Sequence, residues 1–297
     1  MTGSRQQPPR LVSVVIPTYN NAVTLPLQLE ALARQTYQGA WEIVVSDNGS
    51  TDGTIEIAED WVARLPQLTV VDASDRSGAA HARNVAVARS TGDLIVCTDA
   101  DDIVADDWIE SWVGAAARGD ILGGALELRL LNDPVSKPWQ PDRDTWLLRS
   151  PVHDFLPLVE GSNCAIWRTV LEALGGWDED LHLGNEDVDL AWRAQLGSFE
   201  LVHSEAPMVH YRHRSTLLGF AKQQFDRARS QVQLFAKFRS AGMPRMSTRI
   251  ALLTWGSLVY RLPFLLWSSH WRRIWLLRAA LVSGRLLGSL RWRVLYL

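Results

Sequence analysis

The sequence predicts an α/β fold, a mostly parallel sheet covered by helices on both faces, followed by a basic helical segment. Three observations predict it. Short β-branched runs alternate with helical patterns over the first hundred residues, which is the rhythm of βαβ units. Polar, turn-rich segments follow the first, second and fourth strands, where open sheets of this kind bind ligands. Finally, the charge is split. All 33 acidic residues lie at or before Asp226, whereas 13 of the 30 Lys and Arg lie after it. Residues 1–226 carry a net −16 and the last 71 residues carry +13, so the two segments are expected to meet different partners.

LVSVVIP (Leu11–Pro17) is a short continuous apolar run and reads as a buried strand. Leu25, Leu29 and Leu32 then recur at helical spacing within residues 22–35. WEIVVSD (Trp41–Asp47) is the second strand, and Asp52 is placed to cap a helix running to about Leu65. LTVVDAS (Leu68–Ser74) is the third strand, Ala79–Arg89 the third helix, and DLIVCTD (Asp93–Asp99) the fourth strand. Beyond residue 110 the pattern loosens. Gly119–Leu131 reads as a strand with glycine relief. Residues 132–157 hold Pro134, Pro138, Pro141, Pro151 and Pro157 and read as a long irregular loop, a length that usually means a lid or binding loop. A helix with carboxylates in its first turn begins near Asn185, and LVHSEAPMV (Leu201–Val209) reads as a strand.

A chain of 297 residues with 47% hydrophobic and 21% charged content can bury a sizeable core. Its two cysteines, Cys97 and Cys164, cannot make a disulfide framework and suit a reducing cytosol. The opening MTGSRQQPPRLVSVV has no signal-peptide pattern. No GxGxxG follows strand one and no GxxxxGK[ST] is present, which disfavours dinucleotide and P-loop chemistry.

The fourth strand ends in LIVCTDADDI (Leu94–Ile103), which crowds Asp99, Asp101 and Asp102 together. Two hard oxygen ligands on a turn suit Mg²⁺ or Mn²⁺, with water or phosphate oxygens completing the shell. On spacing alone, an acidic turn capping the helix near Trp108 explains the cluster equally well.

Six segments decide between these readings. SVVIPTYN (Ser13–Asn20), SDNGSTDGT (Ser46–Thr54), GAAHARN (Gly78–Asn84), CTDADD (Cys97–Asp102), GGWDEDL (Gly175–Leu181) and GNEDVDLAWR (Gly184–Arg193) occur in this order. Together they resemble the inverting family-2 glycosyltransferases of GT-A fold, over roughly residues 11–215. The resemblance implies a Rossmann-like nucleotide-binding mixed sheet flanked by helices. The chain is expected to divide into a disordered lead (1–10) and a catalytic domain (11–220) with a nucleotide-sugar half (11–105) and an acceptor half (106–220). A helical tail (221–297) follows.

The same resemblance assigns roles. Pro17, Thr18, Tyr19, Asn20 and Asp47 would hold the base and ribose of the donor, with Asn48 as the alternative to Asp47. Gly78 opens the helix that carries Arg83, whose guanidinium would pair with a diphosphate. Asp99 would lie near the ribose and Asp101 on Mn²⁺ or Mg²⁺, with Asp99 sharing the metal. Asp102 would stabilise the turn. Asp187 would be the general base, taking the acceptor hydroxyl's proton opposite the leaving diphosphate; Glu186 and Asp189 compete for that role, and Asp189 reads as structural. Trp177 and Asp178 match the family's acceptor-side segment, though Trp177 also reads as a core residue. Glu186 would face the acceptor side, and Asn163 either the acceptor or the donor sugar. His210, with His213 as competitor, would complete the metal shell, and His81 would lie near the phosphates.

From Pro244 onward, apolar runs are broken by Arg261, Arg272, Arg273, Arg278, Arg285, Arg291 and Arg293. The longest uncharged stretch, Ile250–Tyr260, has 11 residues, whereas a spanning helix needs about 20. Amphipathic helices lying on an anionic membrane surface fit this composition, with Trp255, Trp267, Trp271, Trp275 and Trp292 at the interface. A helical hairpin packed on the catalytic domain, or against a second copy in a homodimer, is the alternative. Nucleic acid is set aside for want of any binding module. The protein is therefore expected in the cytoplasm, peripherally bound to the inner face of the cell membrane. Its hydroxyl acceptor there would be a lipid-linked glycan in cell-surface polysaccharide assembly. Two rivals stay open. A sugar nucleotidyltransferase would show a Gly-rich basic loop after strand one, which PTYNNAVTLP lacks. A non-catalytic sugar-nucleotide-binding scaffold has no use for a base at Asp187.

Overall fold

A computed structural model describes residues 8–133, 155–266 and 268–296. The start of the expected lead, most of the proline-rich loop, and Trp267 lie outside the described residues. Strands β1 (Val12–Thr18), β2 (Trp41–Asp47) and β3 (Leu68–Asp72) pair in parallel, and β4 (Leu94–Thr98) pairs in parallel with the other edge of β1. The crossovers are α1 (Leu25–Ala33), α2 (Thr54–Trp61) and α3 (Ala79–Arg89). Asp52 supports α2 from two residues upstream, its Oδ1 accepting from the Thr54 amide at 3.2 Å, while Gly53 at φ 86° makes the entry turn. The chain leaves β1 toward β2 and β3 but returns on the far side to form β4. That reversal opens a crevice at the carboxyl ends of β1 and β4.

The second half extends the sheet. It contains β5 (Ile103–Val104), α4 (Trp108–Ala115), β6 (Ile121–Glu127), β7 (Asn163–Trp167), α5 (Arg168–Leu174), α6 (Glu186–Leu196) and β8 (Leu201–His210). Strand order is β3-β2-β1-β4-β7-β6-β8-β5. β7 runs antiparallel to both β4 and β6, and β5 antiparallel to β8, so the sheet is mixed. The aliphatic residues of β1, β2 and β4 form the main core with Trp108 and Trp112, both fully buried. A buried indole N–H usually finds a partner, and Trp108 Nε1 donates to Asn163 Oδ1 at 2.8 Å, while Trp112 Nε1 has none among the described residues. Cys97 and Cys164 face one another across β4 and β7 as buried free thiols.

The C-terminal region is three helices, α7 (Leu217–Phe238), α8 (Thr248–Tyr260) and α9 (Ser269–Trp292), with a 3₁₀ turn at Leu262–Leu266. α7 runs straight through the expected boundary at residues 220 and 221. α9 lies along α7, and Gly284 and Gly288 allow the close approach. A Cβ on Gly284 would collide with the Phe225 carbonyl, and one on Gly288 would sit 2.9 Å from Val232 Cβ. Val232, Phe235 and Tyr296 join Leu158, Val188 and Trp192 in a second core. This segment is therefore anchored by α7 and the far half of α9. By contrast, Leu252, Leu253, Val259, Tyr260, Leu262 and Leu266 are exposed along α8 and the turn after it. No helix among the described residues is long and apolar enough to cross a membrane. Replacing Gly284 with Val forces overlap with backbone and is expected to cost about 1–3 kcal/mol, read as a lower denaturant midpoint. An unchanged midpoint would show that α7 and α9 do not pack this closely.

Candidate active site

The crevice holds two adjoining cavities, one of about 550 Å³ and one of about 320 Å³. Arg83 stands between them. It projects from α3, is 3% exposed, and joins the two halves of the sheet: Nη2 donates to Asp99 Oδ1 at 3.0 Å, and Nη1 to Glu186 Oε1 at 2.5 Å. Burial alone would lower the pKa of this guanidinium, but Asp99 and Glu186 push it up. It is a fixed cation.

The acidic turn after β4 is held from behind. Gln28, buried on α1, donates to Thr98 Oγ1 at 2.8 Å and accepts from the Val104 amide at 3.0 Å. Asp99, Asp101 and Asp102 then place ligand oxygens within 4.8 Å of one another. Asp102 is 1% exposed; its Oδ1 accepts from the Arg212 amide at 2.7 Å, while its buried Oδ2 has no partner among the described residues. Burial, then the charges of Asp101 and Asp99, hold the Asp102 carboxyl well above the usual range. Burial and Asp99 likewise raise Asp101, with Arg214 opposing. An all-oxygen set, crowded and with an orphaned oxygen, fits a hard divalent cation.

The smaller cavity holds Asp187, in the first turn of α6. Its Oδ2 accepts from the Gly161 amide at 2.7 Å and its Oδ1 from the Val188 amide at 2.7 Å. The carboxylate is thus oriented by backbone and makes no ion pair among the described residues. Glu160 shares this cavity. Burial and the neighbouring Asp187 charge push Glu160 up to about 7, against the pull of Arg227.

Comparison with known proteins agrees with this arrangement. The model of the family described as "Glycosyl transferase family 2" matches residues 13–153. Glycosyltransferase AglE of Haloferax volcanii is 34% identical over 228 residues, covering 75% of this chain and 74% of that protein. This chain belongs to glycosyl transferase family 2. The family-2 enzyme draws its sugar from a nucleotide-sugar donor, and the nucleotidyltransferase and scaffold alternatives fall away. GlyG of Streptococcus pneumoniae is 37% identical over 101 residues, 34% of this chain and 33% of that protein. Among solved structures, a mannosyltransferase of Pyrobaculum calidifontis in complex with GDP-Man and Mn²⁺ has the same fold. It aligns with a TM-score of 0.66 at 23% identity, covering 95% of this chain and 88% of that one. S. aureus TarS 1–349 in complex with UDP-GlcNAc aligns with a TM-score of 0.55 at 16% identity, covering 96% and 93%. Both likenesses establish the GT-A arrangement of the transferase.

Within this transferase the larger cavity brings together Pro17, Thr18, Tyr19, Asn48, Arg83 and the acidic turn. Asn20, at φ 54°, lies beside it and ties the β1 loop to the β2 loop, its amide donating to Ser50 Oγ at 2.8 Å. Asp47 is 2% exposed and behind the wall; its Oδ2 accepts from the Gly49 and Ser50 amides at 3.0 and 2.9 Å. Asn48 accepts from the Gly78 amide at 2.8 Å, so Gly78, at φ 133°, shapes the entry to α3.

Several expected residues are engaged elsewhere. Glu186 is buried against Arg83. Trp177 is 3% exposed in the main core and presents no face to an acceptor. Asp178 pairs with Lys237 at 2.6 Å. Asn163 is saturated by Trp108, the Ala125 carbonyl and the Pro207 carbonyl. Asp189 pairs with Arg193 and Lys237. His210 Nδ1 contacts Glu127 Oε2 at 2.8 Å, and the candidate metal cluster among the described residues contains carboxylates only. His81 bridges Asp75 and Glu179, and His213 packs edge-on against Tyr211 and Phe220. Conversely, Gln28, Glu160, Tyr211 and Arg227 stand at the site without having been singled out.

Glu160 gives a pH prediction. Its folded pKa of about 7 exceeds the ordinary 4.5, so the unfolded chain releases this proton first as pH rises. Its contribution to stability is therefore present below about pH 4.5 and declines up to about pH 7. Glu160→Gln is expected to gain stability relative to the parent across that interval, measured by denaturant melts at several pH values. A constant difference would show that Glu160 is not raised.

Proposed function

We propose that this enzyme transfers a glycosyl group from a nucleoside-diphosphate sugar to a hydroxyl acceptor, with inversion and with Mn²⁺ or Mg²⁺ bound, and that Asp187 is the general base. The observation that carries this is the shared wall. Arg83, Asp99, Gly184, Glu186, Tyr211 and Arg227 line both the cavity with the acidic turn and the cavity with Asp187. A sugar reaching from one to the other would pass between the two sets of carboxylates. The Pyrobaculum and S. aureus neighbours carry GDP-Man with Mn²⁺ and UDP-GlcNAc, which supports the same donor class here.

Asp99, Asp101 and Asp102 would hold the metal, which when bound supplies positive charge for the leaving diphosphate. The other work falls to the chain. Pro17, Thr18, Tyr19 and Asn48 bind the nucleoside, and Asp47 and Asn20 brace the loops around it. Arg83 keeps Asp99 and Glu186 in place. Asp187 takes the acceptor's hydroxyl proton as the acceptor oxygen bonds to the anomeric carbon. The bond to the diphosphate oxygen breaks on the opposite side, and its electron pair leaves with the nucleoside diphosphate. Asp187→Asn is expected to lower kcat about 10²–10⁴-fold while nucleotide affinity persists in calorimetry. Loss of nucleotide binding would instead make Asp187 structural. Asp101→Asn is expected to remove Mn²⁺-enhanced nucleotide binding, and retention of that enhancement would exclude Asp101 as a ligand.

The reading extends to a peripheral position on the cytosolic leaflet, with a membrane-borne acceptor. Its support is the exposed apolar surface of α8 and the following turn, flanked by Arg249, Arg272 and Arg273. The double variant Leu253→Glu, Leu266→Glu is expected to stop sedimenting with phosphatidylglycerol vesicles. Undiminished sedimentation would place the contact elsewhere.

A further inference from the structure

The cavity beside Asp187 has a wall that proton abstraction does not require. α9 contributes Leu281 and Arg285 to it, and α7 contributes Arg227. Arg285 is 9% exposed. Its Nε donates to Gln231 Oε1 at 3.2 Å and its Nη1 to Met246 Sδ at 3.4 Å. Neither partner is charged, and no acidic residue follows Asp226 in the sequence. Burial lowers the Arg285 pKa, and the opposing influence comes from Tyr296 rather than from a carboxylate. A guanidinium taken out of water without a counter-charge is costly. Gly284, beside it, lets α9 approach α7 so closely that a Cβ there would collide with the Phe225 carbonyl.

Arg227 faces the same cavity. Burial lowers its pKa, but Tyr211 and the carboxylates of Glu160, Asp187 and Glu186 raise it, yet it makes no ion pair among the described residues. The two cations differ in reach: Arg227 also lines the larger, donor cavity, whereas Arg285 lines only the smaller one. Arg285 is therefore not explained by the donor's diphosphate. What a buried, planar, multidentate cation recognises best is a phosphate or similar oxyanion. Leu158, Val188 and Leu281 supply apolar surface beside it, and on the outside of the same helix Leu286, Leu287 and Leu290 are exposed.

We infer that Arg285, together with Arg227, is the phosphate-recognising side of the acceptor cavity, so that the acceptor is a phosphate ester whose free hydroxyl reaches Asp187. This rests on the proposal that the Asp187 cavity receives the acceptor. The shared chemistry is a phosphate monoester or diester, and the apolar surface alongside favours one carried on a lipid.

The test uses the full chain with three probes in calorimetry: farnesyl phosphate, farnesol and inorganic phosphate. Farnesyl phosphate is expected to bind, and Arg285→Gln to weaken it about tenfold or more, the loss of one charge-assisted hydrogen-bonding group. Arg285→Lys should recover part of that loss, and farnesol should not compete. Binding of a nucleoside diphosphate with Mn²⁺ should be the same in all three proteins, which shows that the variants fold. Inorganic phosphate binding as tightly as farnesyl phosphate, with the same Arg285 dependence, would support the phosphate site and assign it to a soluble acceptor. Farnesyl phosphate binding equally to parent and Arg285→Gln, or to neither, would overturn the inference. Failure of nucleotide binding in the parent protein would instead strike at the transferase reading itself.

Discussion

A single guanidinium, that of Arg83, sits between the carboxylate at the end of β4 and the carboxylate that begins α6. Arg83 and Glu186 are buried while Asp99 is about a third exposed, so the Glu186 contact is the better shielded from water, and removing Arg83 would leave two carboxylates facing each other. Breaking such a buried pair costs roughly 3–5 kcal/mol, a large share of the stability of an ordinary domain. Arg83, Asp99 and Glu186 all line both cavities, so this ion-paired trio is the wall the two cavities share.

Around that anchor the negative charge is deliberately left in excess. Arg214 approaches Asp101 at 3.3 Å, but its side chain is 55% exposed, and an ion pair at a surface contributes only about 0–1 kcal/mol. That cannot offset three crowded carboxylates, two of them raised by burial and mutual repulsion. The protein sets a buried cation against Asp99, whereas Asp101 is paired with the largely exposed Arg214. What the fold keeps in place through Gln28 and Arg212 is a carboxylate cluster whose spacing fits a divalent cation.

How much of this was legible in the sequence depends on the range of the interactions involved. The strands β1 to β4, the acidic turn and the carboxylate-rich start of α6 are local patterns, and a local pattern can be read without a fold. Asn163, Trp177 and His210 are different. Each is polar or aromatic in a segment near the site, but its role is set by a distant partner. Trp108 lies 55 residues from Asn163, and Glu127 lies 83 from His210. No spacing rule reveals such a pairing. β7 was likewise hidden, because five buried residues give no alternation to detect. A signal for Arg227 did exist. Gln224, Arg227 and Gln231 recur three and four apart on α7 and line the smaller cavity, a polar stripe on a face that packing would otherwise have made apolar.

The close fit of α9 onto α7 has a consequence for how the molecule is made. Gln231 and Arg285 touch across 54 residues of chain. At a synthesis rate of 5–20 residues per second, about 3 to 11 s separate their appearance. During that interval α7 is complete while Val232 and Phe235 still lack the helix and ring that cover them. The nascent transferase thus carries a folded first half beside an unfinished, sticky flank, and that pause is a window in which chaperones can engage it before the smaller cavity closes.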